Sequence, residues 1–114
     1  VVLPDHLHAL WRLPEGDDDY ALRWRLIKSF FTKAVAGKSG SSPWQDRYWE
    51  HTIRDQDDLH HHVDYIHWNP VKHGHVPRVG DWRHSSVHRY LRDGVLPANW
   101  GDVGMPEMNG RFGE

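Results

Sequence analysis

Apolar residues recur at three- and four-residue spacing through 20–36: Leu22, Leu26, Ile27, Phe30, Phe31 and Ala34 fall on one side, with Arg25, Lys28, Ser29 and Thr32 on the other. This pattern predicts an amphipathic helix. Asp17-Asp18-Asp19 supplies an N-cap and negative charge at its first turn, and Gly37 ends it. A second helix carries Leu59, Val63 and Ile66 inward, with Asp55 as cap and Asp57 and Asp58 in its first turn. It is predicted to end near Asn69, because Pro70 disfavours helical backbone at the residue before it. Lys72 and His73 follow, where positive charge suits a helix C-terminus. A short final helix is expected over 81–91.

The remaining apolar segments read as strands. Val1 to Leu3 is followed by a Pro4-Asp5 turn, then by 6–13, closed by Pro14-Glu15-Gly16. Residues 47–54 are aromatic and β-branched and predict a third strand. A Ser- and Gly-rich loop occupies 38–43. The order strand, strand, helix, strand, helix matches a ferredoxin-like domain from its second strand onward. The expected class is therefore α+β: a ferredoxin-like antiparallel sheet with helices on one face, lacking the first strand and first helix, plus an extra C-terminal helix bearing Tyr65. Residues 1–93 are expected to form one domain and 94–114 a poorly ordered tail. The chain opens on Val-Val rather than Met, inside an apolar run, which reads either as a missing N-terminus or as a non-standard start translated literally. Without the first strand an edge and an apolar face are exposed, so marginal stability and self-association are expected.

Composition narrows the function classes. A chain of 114 residues has room for one modest core, and the absence of cysteine excludes disulfides and thiolate metal sites. No apolar run reaches membrane length and no signal peptide is visible, so a cytoplasmic protein without a membrane partner is expected. The formal net charge is −2, yet five basic residues and no acid lie between Tyr20 and Gln45. Between Ile66 and Arg92 five more basic residues face a single acid, Asp81. A chain can be neutral in sum and basic on one face. Arg25, Lys28, Lys72, Arg83 and Arg89 are the candidate phosphate contacts. Eleven histidines supply ligands and proton carriers, and seven tryptophans supply core bulk or stacking surfaces.

Two short segments carry the chemistry. On an extended chain, alternate side chains share a face, so His6 and His8 can hold one metal ion. On a helix, residues four apart share a face, so Tyr65 and Asn69 can point the same way. Two imidazoles and an amide oxygen would leave coordination positions open for phosphate oxygens or water, which suits a Lewis acid acting on a phosphodiester. A tyrosine nucleophile beside it conserves the energy of the broken phosphodiester in a phosphotyrosine linkage, so a strand can be rejoined without ATP. Two rival readings use the same residues. A histidine-metal hydrolase would activate water instead, and a non-catalytic remnant would bind DNA without cutting it. Gly-rich phosphate loops, a Ser-His-Asp order and zinc-finger spacings are absent.

In combination the segments are more specific. Residues 2–10 (VLPDHLHAL) resemble the strand motif of the HUH single-tyrosine transposases. Residues 44–54 (WQDRYWEHTIR), 64–74 (DYIHWNPVKHG) and 81–90 (DWRHSSVHRY) resemble the REP-associated tyrosine transposases within that group. The resemblance implies action on single-stranded DNA hairpins such as repetitive extragenic palindromes. It implies that His6 and His8 bind a divalent metal, Mg²⁺ or Mn²⁺, and that Asn69 stands at the position of a third polar ligand. It further implies that Tyr65 attacks a phosphate, giving a 5′-phosphotyrosine and a free 3′-OH.

Overall fold

The computed structural model describes residues 1–35 and 42–102. They divide into two compact units, one formed by residues 1–10 with 51–102 and the other by the described part of 11–50.

The first unit is organised by helix α2, Gln56–Lys72, and by the shorter α3, Val87–Arg92, joined through a 3₁₀ turn at Val79–Asp81. Asp55 caps α2 as its sequence suggests, accepting a 2.8 Å hydrogen bond from the backbone N–H of Asp58. The predicted end at Asn69 is corrected. The helix runs on through Pro70, because proline forfeits one intrahelical bond while the His73 N–H bonds the Asn69 carbonyl and continues the last turn. Gly74 then stops it at φ +73°. The Gly74 N–H bonds the Val71 carbonyl and the His75 N–H bonds the Pro70 carbonyl, a Schellman cap that a residue with a Cβ adopts only under strain.

Trp68, Val79 and Val87 form the buried core of this unit, with Val71, Leu91, Leu96 and Trp100 packed against it. Gly101 crosses the face of Trp68 so closely that a Cβ would lie 2.8 Å from the indole ring. Leu96 and Trp100 thus bring part of the expected tail onto the core, while 103–114 lie outside the described residues. Of the final helix expected over 81–91, the structure forms the 3₁₀ turn and α3, with 82–86 non-helical between them.

The ferredoxin-like sheet is not formed among the described residues. Val1 to His8 folds back as a minimal hairpin whose only ladder feature is an isolated antiparallel bridge between Val2 and Leu7. Val1 and His8 exchange backbone hydrogen bonds at 3.0 Å, and the Leu3 N–H bonds the His6 carbonyl across the Pro4-Asp5 turn. The bridge does not grow into strands because a strand exists only through a hydrogen-bonded neighbour, and a two-stranded pairing this short is marginal by itself. Residues 47–54 likewise run without a sheet partner. The hairpin is held instead by the 82–84 loop: the Val2 N–H bonds the His84 carbonyl, and Trp82 Nε1–H bonds the Val2 carbonyl, both at 2.9 Å.

The second unit contains α1, Tyr20–Val35. Asp19 caps it, accepting from the Leu22 N–H at 3.1 Å. Trp11, Trp24 and Tyr48 pack in sequence with their rings tilted by 33° and 41°, and the Lys28 ammonium lies over the rings of Trp44 and Tyr48 at 5.7 and 5.4 Å. The apolar face of α1 has no buried residue, and Phe30 is 71% exposed. The loop expected over 38–43 lies mostly outside the described residues.

His67 sits in the core side of α2, 2% exposed, with Nε2 2.7 Å from the Ser86 hydroxyl. Burial pushes its pKa down to about 4. The unfolded chain therefore binds this proton first, and stability is full above pH ~6.5 and falls as pH drops towards about 4. Denaturant melts should show a loss of about 2–3 kcal/mol across that window, and His67→Gln should flatten it. An equal slope in both proteins would contradict the assignment.

Candidate active site

One stripe of α2 is polar and largely buried. Asp58, His62, Tyr65 and Asn69 recur at spacings of four and three, so they lie along a single helix face, with Lys72 next in the row. Asn69 is fully buried and Tyr65 is 4% exposed. The hairpin turn lays His6 and His8 over this stripe. His6 Nε2 is 3.1 Å from Asn69 Oδ1. The His6 and His8 rings meet edge to face with centroids 5.2 Å apart, and His8 meets Tyr65 in the same way at 5.6 Å. Although no strand forms, the extended backbone around Leu7 keeps the two histidines on one side. Four residues singled out in the sequence, His6, His8, Tyr65 and Asn69, are therefore neighbours.

Three further residues complete the surroundings: Asp5, His73 and Lys72, the last singled out in the sequence as a candidate phosphate contact. Asp5 Oδ1 lies 2.6 Å from His6 Nδ1, and this hydrogen bond is the leading cause holding the Asp5 carboxyl below its usual range. The His73 ring packs edge-on to His6 at 5.0 Å. The Lys72 ammonium donates to the Tyr65 hydroxyl at 3.0 Å.

The donor set suits a divalent cation. In the tautomer that gives Nδ1–H to Asp5, His6 turns its Nε2 lone pair towards the amide oxygen of Asn69, and two acceptors so placed favour a cation beside them. Carboxylate partners orient metal-binding imidazoles in this manner. Two ligand atoms on one ion with bonds of about 2.1 Å are separated by roughly 3.0–3.4 Å, which brackets the observed spacing.

A second group of ligand types lies further up α2. One nitrogen each from His51 and His62 and a carboxylate oxygen of Asp58 all lie within 4.8 Å of one another, close enough to hold a metal. As they stand they form a capping network. His51 Nε2–H donates to Asp58 at 2.7 Å, the Arg54 N–H at 2.9 Å and the Arg54 guanidinium at 3.3 Å, and His62 donates to the Asp58 backbone carbonyl. These bonds, that of His51 foremost, hold the Asp58 carboxyl far below the ordinary carboxylate range. The His51 and His62 rings are stacked nearly parallel, and Arg54 already places a positive charge on the carboxylate, so the cluster serves α2's start better than a cation.

Of the candidate phosphate contacts, Arg25 and Lys28 lie in the second unit and Lys72, Arg83 and Arg89 in the first. Arg25, Lys72, Arg83 and Arg89 are exposed, whereas Lys28 is half-buried among its aromatic partners.

Known proteins with the same sequence pattern decide the family. The chain is 55% identical over 104 residues to the Escherichia coli K12 REP-associated tyrosine transposase, covering 90% of this chain and 61% of that protein. This chain belongs to the REP-associated tyrosine transposases. A Haemophilus influenzae protein given the same family name provisionally is 44% identical over 118 residues, covering 94% of this chain and 66% of that one. The solved structure of a REP-associated tyrosine transposase bound to a REP hairpin superposes with a TM-score of 0.71 at 50% identity, covering 88% of this chain and 59% of that one. No protein-family model matches. The chain thus spans about three fifths to two thirds of the length of these REP-associated tyrosine transposases.

Proposed function

We propose that the chain cleaves and rejoins single-stranded DNA at hairpins through a covalent 5′-phosphotyrosine on Tyr65, with a divalent ion, Mg²⁺ or Mn²⁺, held by His6, His8 and Asn69. The observation that carries this reading is the convergence of two histidines, an amide and a tyrosine at one point on the polar stripe of α2. Family membership and the hairpin bound by a 50%-identical relative support it. When bound, the ion supplies Lewis acidity to the scissile phosphate. The chain's own residues do the rest. Asp5 orients the His6 ring, and α2 fixes Tyr65 one turn from Asn69. The tyrosine oxygen then displaces the 3′ oxygen of the scissile phosphodiester, and the reverse reaction rejoins the strand. We place this work on DNA in the cytoplasm. Among the described residues no helix is long and apolar enough to cross a membrane.

A hairpin oligonucleotide with Mn²⁺ or Mg²⁺ should give a protein-DNA species that survives a denaturing gel and disappears with chelator. Cleaved DNA without any protein linkage would favour the hydrolase reading, and binding without cleavage the remnant.

Hairpin affinity is proposed to rest on charge. Replacing Arg25 and Lys28 together, or Arg83 and Arg89 together, should weaken binding, and each lost phosphate contact should flatten log affinity against log salt by roughly 0.7–0.9. Unchanged slopes in both double variants would make these ordinary surface charges.

A further inference from the structure

Lys72 is placed by the feature of α2 that its sequence obscures. Because the helix continues through Pro70, Lys72 falls two turns after Tyr65 on the same stripe. Its Nζ donates a 3.0 Å hydrogen bond to the Tyr65 hydroxyl oxygen and lies 4.9 Å from the ring centroid. Tyr65 is 4% exposed while Lys72 is exposed, so a largely solvated side chain brings its ammonium to the hydroxyl of a buried ring. The last turn of α2 also favours positive charge at this position. A lysine that only gathered DNA phosphate would have no reason to sit on the phenol oxygen.

We propose that Lys72 is a catalytic residue whose ammonium stabilises negative charge on the Tyr65 oxygen as that oxygen joins and later leaves a DNA phosphorus. This rests on Tyr65 being the nucleophile. In cleavage the tyrosine O–P bond forms and the P–O3′ bond breaks; the phenolic proton passes to water and the 3′ oxygen takes a proton from water. In rejoining the 3′-OH gives its proton to water as the O3′–P bond forms, the tyrosine O–P bond breaks and the phenol oxygen takes a proton from water. Lys72 stays protonated in both directions and donates to whichever form of the tyrosine oxygen is present, most strongly to the charged one.

Lys72→Met and Lys72→Arg in the full chain test this. At saturating hairpin, Lys72→Met should form the covalent adduct roughly ten- to a hundredfold more slowly, and Lys72→Arg should recover most of the rate. A normal rate at saturation would overturn the proposal: with weakened affinity it makes Lys72 a phosphate contact, and with a lowered melting temperature a structural cap. A second measurement needs neither DNA nor metal. An aryl sulfonyl fluoride captures a phenol as an O–S bond forms, fluoride leaves and the phenolic proton passes to buffer, again building negative charge on the tyrosine oxygen. Peptide mapping should show Tyr65 labelled faster in the native chain than in Lys72→Met, although the variant leaves the phenol more open. Equal or faster labelling of the variant, or none of Tyr65 in the native chain, would overturn the proposal. An adduct that persists in Tyr65→Phe would instead remove the nucleophile reading while leaving the labelling result intact, so the two failures are distinguishable.

Discussion

Tyr65→Phe should abolish the covalent protein-DNA species while hairpin binding stays nearly intact. Only the hydroxyl is lost, and the ring keeps its packing beside His8. The hydroxyl's hydrogen bond from Lys72 is lost with it, a change of about 0.5–1.5 kcal/mol in stability, too small to unfold a domain of ordinary stability. A denaturing gel of the two proteins side by side reads the difference. A loss of both binding and adduct would point to damage to α2 and would be recognised by a lowered melting temperature.

The second large effect concerns the histidines. His6→Ala or His8→Ala should slow metal-dependent adduct formation by roughly a hundredfold or more, since Lewis-acid activation of a phosphate is worth several kcal/mol and each 1.36 kcal/mol is tenfold. Asp5→Ala should act more mildly. It removes the carboxylate that orients His6 and should weaken metal affinity by about 10- to 100-fold, a defect that added Mn²⁺ restores. Metal titrations of adduct rate separate the two classes. If His6→Ala recovers fully at high Mn²⁺, His6 is not a ligand; if Asp5→Ala does not recover, Asp5 does more than orient the ring.

The neighbours His6, His8, Tyr65 and Asn69 were legible because each spacing holds under either backbone that could carry it. A two-residue step keeps side chains together on any extended segment, with or without a sheet, and a four-residue step does so on any helix. The sheet itself was not legible. Strand patterning reports that a segment suits pairing, not that a partner is present, and the described residues contain a bridge where strands were expected. The end of α2 was misread because proline's rule is local, whereas the His73 to Asn69 bond and the Gly74 cap carry the helix one turn further. That turn brings Lys72 onto the tyrosine. The stripe Asp58, His62, Tyr65, Asn69, Lys72 was present in the sequence at spacings of four, three, four and three. It escapes notice because periodicity is customarily sought among apolar residues, and here the buried row is polar. Asp5 and His73 could not be foreseen, as their roles depend on how the hairpin lies over α2.

The four tyrosines, Tyr20, Tyr48, Tyr65 and Tyr90, allow the central claim to be decided by one mapping experiment. The chain is incubated with a hairpin oligonucleotide and Mn²⁺, digested with protease and nuclease, and the modified peptide is sequenced by mass spectrometry while the released DNA end is tested for polymerase extension. The expected result is a phosphonucleotide on Tyr65 and an extendable free 3′-OH. A nucleotide on Tyr20, Tyr48 or Tyr90, or cleaved DNA bearing a free 5′-phosphate and no modified peptide, would contradict it.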